Sequence, residues 1–242
     1  MSSSVSASIS ERHGIRRSFY VWIAIAAAAI VFIGFARTYY LKSLFDTPVL
    51  TWLVHLHGLS LTLWFGLFFL QSYLIASHHT ALHRRLGVFG GVLAVLIVII
   101  GVTALIHLVK TPQTNPEDHV FLLQIFGADL FIFLLFAGFV GSAILMRRHG
   151  DAHKRLMLLG SLSLLWPPMS RIPIDFFSQN FLASLVLTDL CVIACVVLDA
   201  VRSRRVHPVL AWGAALNILS LHLVNLAAGT ETWLRFADRL IS

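Results

Sequence analysis

The chain has 242 residues, of which 58% are hydrophobic and 12% charged, and its formal net charge is +7. Soluble domains carry about 25% charged residues, and no stretch between the apolar blocks is long enough to build one, so composition excludes a soluble globular enzyme and leaves a single membrane domain. The positive charge lies in short loops beside apolar blocks, where it sets topology, and it gives no ground for a nucleic-acid partner.

Residues 1–18 are polar and Ser-rich, with Arg12, Arg16 and Arg17, and read as a cytoplasmic tail. The apolar block that follows is longer than a signal-peptide core and reads as a retained anchor. Blocks of about 20 apolar residues match a hydrocarbon core about 30 Å thick. On that basis spans are predicted at 19–41, 49–77, 85–109, 119–146, 155–177, 179–200 and 207–229. A backbone in lipid must satisfy its own hydrogen bonds, and strict alternation is missing, so these are helices and not barrel strands. The expected fold is all-α, a polytopic bundle of seven transmembrane spans over residues 19–229. The fifth span contains Trp166-Pro167-Pro168 and should kink there. A very short turn near Ser178 should make it a tight antiparallel partner of the sixth. Residues 230–242 carry Trp233, Leu234, Phe236 and Leu240 among charges and read as an outer amphipathic tail.

Charge asymmetry orients the bundle. Arg12, Arg16, Arg17, Arg84, Arg85, Arg147, Arg148, Lys154, Arg155, Arg202, Arg204 and Arg205 fall on one side. Arg37, Lys42, Lys110, Arg235 and Arg239 fall on the other. That is 12 against 5, and the richer side is cytoplasmic by the positive-inside rule. The N-terminus is therefore expected in the cytoplasm and the C-terminus outside, in a bacterial inner membrane. Tyr39, Tyr40, Trp52 and Trp233 sit at outer ends, where aromatic rings favour the interface.

Charges inside spans are costly and point to function. Asp129 and Asp189 lie roughly 15 Å below the outer surface, and Arg171 at about 9 Å, at 1.5 Å rise per residue. These three are either a buried ion pair that fixes packing, a proton path, or an anchor for a cofactor propionate. Twelve histidines are the second signal. His55 and His57 lie in the outer half of the second span and His222 at similar depth in the seventh. Imidazoles from separate helices ligate haem iron axially, or copper or zinc with a third ligand. His55, His57 and His222 form the candidate metal set. His55 and His57 point to different sides of a helix, so the set needs a distortion that Gly58 would permit. On the cytoplasmic side His79 and His83 are four apart, as are His149 and His153, so each pair shares a helix face. His78, His79 and His149 read as solvated loop residues. Cys191 and Cys195 share a face of one span and read as small packing residues.

His83 opens His83-Arg84-Arg85-Leu86-Gly87, which leads into a Gly-rich span. His153 opens His153-Lys154-Arg155-Leu156-Met157, which leads towards Arg171. Over roughly residues 55–171 this resembles a bacterial family of multi-pass membrane proteins of unknown function. That family has a His-Arg-x-x-Gly motif before one helix and a His-basic-x-Met motif before a later one. More distantly the arrangement is similar to the cytochrome b561 class, in which paired histidines on neighbouring helices hold haem near both membrane faces. That resemblance implies haem b, with His83 and His153 at an inner site, His57 and His222 at an outer one, and Arg171 beside a propionate. In that class the ligands lie within the spans, whereas His83 and His153 stand at the mouths of theirs.

The function expected from these residues is a haem- or metal-binding membrane protein of electron transfer, with a membrane oxidoreductase among the candidates, exchanging electrons with a quinone or a redox partner. The alternatives are a proton-coupled transporter using Asp129, Asp189 and Arg171, or a non-catalytic subunit of a larger complex. A homo-oligomer is compatible with each. A retinal protein needs a Schiff-base lysine in its last span; Lys42, Lys110 and Lys154 all lie elsewhere. No phosphate-cradling loop and no HExxH zinc motif is present.

Overall fold

A computed structural model describes residues 2–111, 115–174 and 180–241, and among them every regular element is helical. The helices are α1 (Ser2–Phe35), α2 (Trp52–Ala76), α3 (Thr80–Lys110), α4 (Pro116–Leu145), α5 (Gly150–Ser163), α6 (Trp166–Met169), α7 (Phe181–Ser203), α8 (Pro208–Ala228) and α9 (Glu231–Ile241). Six segments of these are long and apolar enough to cross a membrane: Ser18–Tyr40, Trp52–Ala76, Thr80–Lys110, Glu117–Leu145, Phe181–Ser203 and Pro208–Ala228. Large apolar side chains such as Trp22, Leu145, Val201 and Trp212 stand exposed on them. A soluble monomer rarely shows contiguous apolar surface on this scale, so lipid is the solvent these faces fit.

Local chemistry sets the helix ends. Thr51 caps α2 by accepting from the Val54 N–H at 3.4 Å, and Asn180 caps α7 by accepting from Ala183 at 3.0 Å. Pro116 and Pro208 open α4 and α8, where a missing N–H leaves nothing unsatisfied. Helix α1 runs on into a π-helical turn, Ala36–Tyr40. It begins at Ser2, so the polar N-terminal segment is helical as well.

The fifth predicted span, 155–177, is where the structure departs from the single kinked helix. Helix α5 stops at Ser163, and α6 is a separate turn beginning at Trp166. The Pro167 ring would collide with the carbonyl four residues back, which is that of Ser163. The remainder of the predicted span beyond Ile174, and the turn near Ser178, lie outside the described residues.

Helix α5 is the hub of the bundle, and nine of its 14 residues are buried. Two glycines let its neighbours close on it. A Cβ on Gly213 of α8 would meet the Leu159 side chain at 2.3 Å, and one on Gly160 would meet Val140 of α4 at 2.8 Å. On the α2 side the Trp64 indole donates to the Ser161 hydroxyl at 3.3 Å and packs edge-on against Phe136. The Trp166 indole of α6 likewise donates to Ser184 of α7 at 3.3 Å. Helix α1 lies so close to α6 that a Cβ on Gly34 would sit 2.2 Å from the Pro168 carbonyl oxygen.

The C-terminal segment folds as α9 and docks on the bundle. Trp233 donates its indole N–H to the Leu123 carbonyl of α4 at 2.9 Å and stacks on Phe126, and Ala237 is fully buried. Phe236 and Leu240 remain exposed on its other side, so the amphipathic pattern serves two surfaces at once.

Candidate functional site

Helices α3 and α5 both begin at the Arg-rich end of the bundle, each with a histidine in its first turns. The imidazoles of His83 and His153 stand with ring centroids 6.3 Å apart and planes at 86°. His153 Nδ1 lies 2.8 Å from the Ala143 carbonyl. That carbonyl belongs to the last turn of α4, where helical acceptors have no partner of their own. A carbonyl only accepts, so Nδ1 carries a proton, and in the neutral ring the lone pair is on Nε2. This is the tautomer of a ligating histidine, whose other nitrogen donates to a carbonyl or carboxylate. On the facing ring, His83 hydrogen-bonds the backbone of Gln71 in α2, and its Nδ1 is buried with no partner in good hydrogen-bond geometry. The Gln71 Oε1 is a second buried atom without one. A buried nitrogen left unmatched costs about 1–3 kcal/mol, so this small region carries a deficit that a bound group would relieve.

The histidines four residues upstream serve differently. His79 and His149 are the cap residues of α3 and α5, both exposed, and His79 Nδ1 lies 3.0 Å from the Ser77 hydroxyl.

In the outer half the polar groups take separate partners. His57 sits edge-on to Phe133 at 6.0 Å, and its Nδ1 is buried without a partner. The Arg171 charge reaches both His57 and Asp129. Arg171 itself donates to the Pro167 carbonyl at 2.7 Å and lies 5.3 Å over the Phe35 ring. His222 Nε2 is 2.7 Å from Asp189 Oδ2, and the other oxygen of Asp189 is buried without a partner. His55 lies on a different side of α2, with its ring 5.8 Å from Tyr39. Tyr39 also fills the space above Gly58, 2.6 Å from where a Cβ would stand. Helix α2 is continuous through Gly58, so that glycine admits a tyrosine ring and no distortion. His222 is thus paired with Asp189, His55 rests against Tyr39 and His57 keeps an unmatched Nδ1, and among the described residues no three His, Cys, Asp or Glu side chains gather closely enough to hold a metal ion.

One cluster went unread in the sequence. Arg155, counted there as a topology charge, is buried at 3% exposure, and so is Asp199. Asp199 Oδ2 accepts from Arg155 Nε at 2.9 Å and pairs with Nη2 at 2.7 Å. Its other oxygen accepts from the Tyr20 hydroxyl of α1 at 3.1 Å. Arg155 Nη1 donates to the Asp151 carbonyl at 2.9 Å. The signal was present in α7, where Thr188, Val192, Cys195 and Asp199 form one buried stripe at helical spacing. An acid that continues an inward stripe needs a cation inside the bundle.

Searches of protein-family models, curated proteins and solved structures found no match to this chain. The functional reading therefore rests on the chain's own side chains.

Proposed function

We propose that this multi-pass membrane protein binds a metal ion or haem iron between His83 and His153 and serves electron transfer at the Arg-rich, cytoplasmic face. The observation that carries the reading is the pair itself: two imidazoles on separate helices, one locked as the ligating tautomer and one with a buried unmatched nitrogen. Metal–imidazole bonds are about 2.0–2.1 Å long. Two of them, with the ring radii added, put ring centroids roughly 6 Å apart when the nitrogens face each other across the ion. The observed 6.3 Å fits that span. Haem b takes two axial imidazoles of this kind, whereas copper or zinc on the same nitrogens would need a further ligand from outside this pair. Bound iron or copper supplies a one-electron couple that no side chain here offers. The chain's part is to fix the two rings, exclude lipid, and present positive charge, since the exposed Arg84 and Arg85 follow His83 in sequence.

The proposed topology has seven crossings in the inner membrane of a bacterium, with the N-terminus inside and the C-terminus outside. Helix α5 spans about 21 Å at 1.5 Å per residue, short of the ~30 Å core. Continuation through α6 to Met169 brings it to about that thickness. The residues that resemble the family with His-Arg-x-x-Gly and His-basic-x-Met motifs are those that build the pair, and the likeness to the cytochrome b561 class stays part of this proposal. The test is a reduced-minus-oxidised absorption spectrum of the detergent-purified protein, beside His153→Leu. Bands that vanish in the variant support haem, and stoichiometric copper without bands supports a copper ion; zinc alone keeps the site and removes electron transfer, and a featureless spectrum without metal removes the reading.

A second reading, proton-coupled transport, is favoured by the Asp189–His222 pair, whose carboxylate keeps one buried oxygen unmatched. Flux in liposomes should then collapse in Asp189→Asn, and unchanged flux would count against it.

A further inference from the structure

At the Arg-rich end, the start of α5 and the end of α7 line an open cleft of about 320 Å³. Its lining includes Lys154, Arg155, Arg202 and Arg205, with Asp151 and Asp199. Both carboxylates are already engaged. Asp199 is held by Arg155 and Tyr20, and Asp151 pairs with Lys154 and, at 3.5 Å, with Arg155. Among the described residues of the lining, cations outnumber acids four to two.

The arginine at its wall is oriented. The Arg202 guanidinium carbon lies 4.8 Å over the Phe19 ring and 5.8 Å over Tyr20, both in α1. Lys154 Nζ lies 5.9 Å over the same tyrosine. Cations stacked on aromatic faces lose rotamer freedom before any ligand arrives, and a planar guanidinium fork matches the oxygens of phosphate. The volume is that of a small-molecule site. Its depth is fixed by the elements that build it: the apolar segments Ser18–Tyr40 and Phe181–Ser203 both end there. Lipid headgroups stand where apolar spans end, and basic pockets between helices on that side hold anionic ones.

We infer that this cleft binds a phosphate monoester group, presented either by an anionic lipid headgroup or by a soluble phosphate. A phosphate monoester carries about −1.5 to −2 charge at pH 7, and its oxygens suit a lining in which two guanidinium forks and a lysine stand beside Arg205. A choline headgroup brings its own cation into the same field and is disfavoured. Neither His83 nor His153 is among its lining residues, so the inference needs no metal between them.

The experiment is a titration of the full-length, detergent-purified chain with short-chain phosphatidic acid, inorganic phosphate and short-chain phosphatidylcholine. It is run on the wild type, on Arg205→Gln, and on Arg202→Gln combined with Arg205→Gln. Arg205 is exposed in the turn between α7 and α8, so its single variant folds and decides the matter if the double variant does not. Phosphatidic acid or inorganic phosphate should saturate at one per chain, and removal of a charge-assisted contact should weaken it at least about tenfold. Tighter binding of the lipid than of inorganic phosphate assigns the site to a headgroup. Equal binding of the two assigns it to soluble phosphate. Absence of saturable binding, affinity unchanged in Arg205→Gln, or equal binding of phosphatidylcholine overturns the inference.

Discussion

The Arg155–Asp199 pair permits a quantitative test of what holds α5, α7 and α1 together. Asp199→Ala removes the acceptor for Arg155 Nε and Nη2, and for the Tyr20 hydroxyl. Both charged side chains are only 4% exposed, so water cannot replace what is lost. Breaking a buried pair on one side costs about 3–5 kcal/mol. Arg155 keeps the Asp151 carbonyl at 2.9 Å, which places the expected loss near the lower end, about 3 kcal/mol. That is a large fraction of a total stability of about 5–15 kcal/mol. The double replacement Arg155→Met with Asp199→Leu removes both charges and both desolvation penalties, and such swaps are neutral or stabilising. The losses of Arg155→Met and Asp199→Leu taken singly should therefore fail to add by about 3 kcal/mol or more. Equilibrium unfolding in mixed micelles with increasing SDS, followed by tryptophan fluorescence, measures all four corners of the cycle. A loss under about 0.5 kcal/mol in Asp199→Ala, or a double variant as weak as the sum of its singles, would refute the reasoning.

Gly34→Ala places a methyl against the Pro168 backbone at 2.2 Å; backbone cannot yield as a side chain does, so a loss at or above the usual 1–3 kcal/mol of overpacking should appear in the same assay. Trp233→Ala deletes the hydrogen bond to Leu123 and the ring against Gly127. Amide exchange across Glu231–Ile241 should then rise while α5 stays protected. Burial, followed by the Arg155 charge, holds the His207 imidazole below its usual pKa, and its Nδ1 accepts the Val209 N–H at 3.3 Å at the start of α8. A histidine with a lowered folded pKa contributes stability in full above its unfolded value of about 6.5 and loses it as pH falls through the folded value. Amides of the first turn of α8 should accordingly lose protection on acidification, after correction for intrinsic exchange, and should not do so in His207→Asn.

Much of the architecture was legible because lipid imposes a simple code. Six of the predicted spans coincide with the long apolar helices within a few residues, since length and hydropathy alone decide them. The fifth differed because Pro167 and Pro168 act on backbone carbonyls rather than on hydropathy, and they divide the segment into two helices where a kink was expected. His83 and His153 stand beside each other in space, and the motif spacing that singled them out reflects two helices starting at one face. The outer histidines were harder. Depth along a helix can be counted, but rotation about its axis cannot, and rotation gives His222 to Asp189 and turns His55 towards Tyr39. Arg155 and Asp199 were missed because a charge near a helix end reads as a topology signal until a partner helix is seen to cover it.

The central claim is that His83 and His153 together grip one metal centre, and the most direct measurement is metal and haem content per chain. Wild-type protein purified from a metal-replete host should carry one iron, copper or zinc per chain. His83→Leu and His153→Leu should each lose it while Asp189→Asn keeps it. A wild-type protein without stoichiometric metal, or variants that retain it in full, would contradict the account.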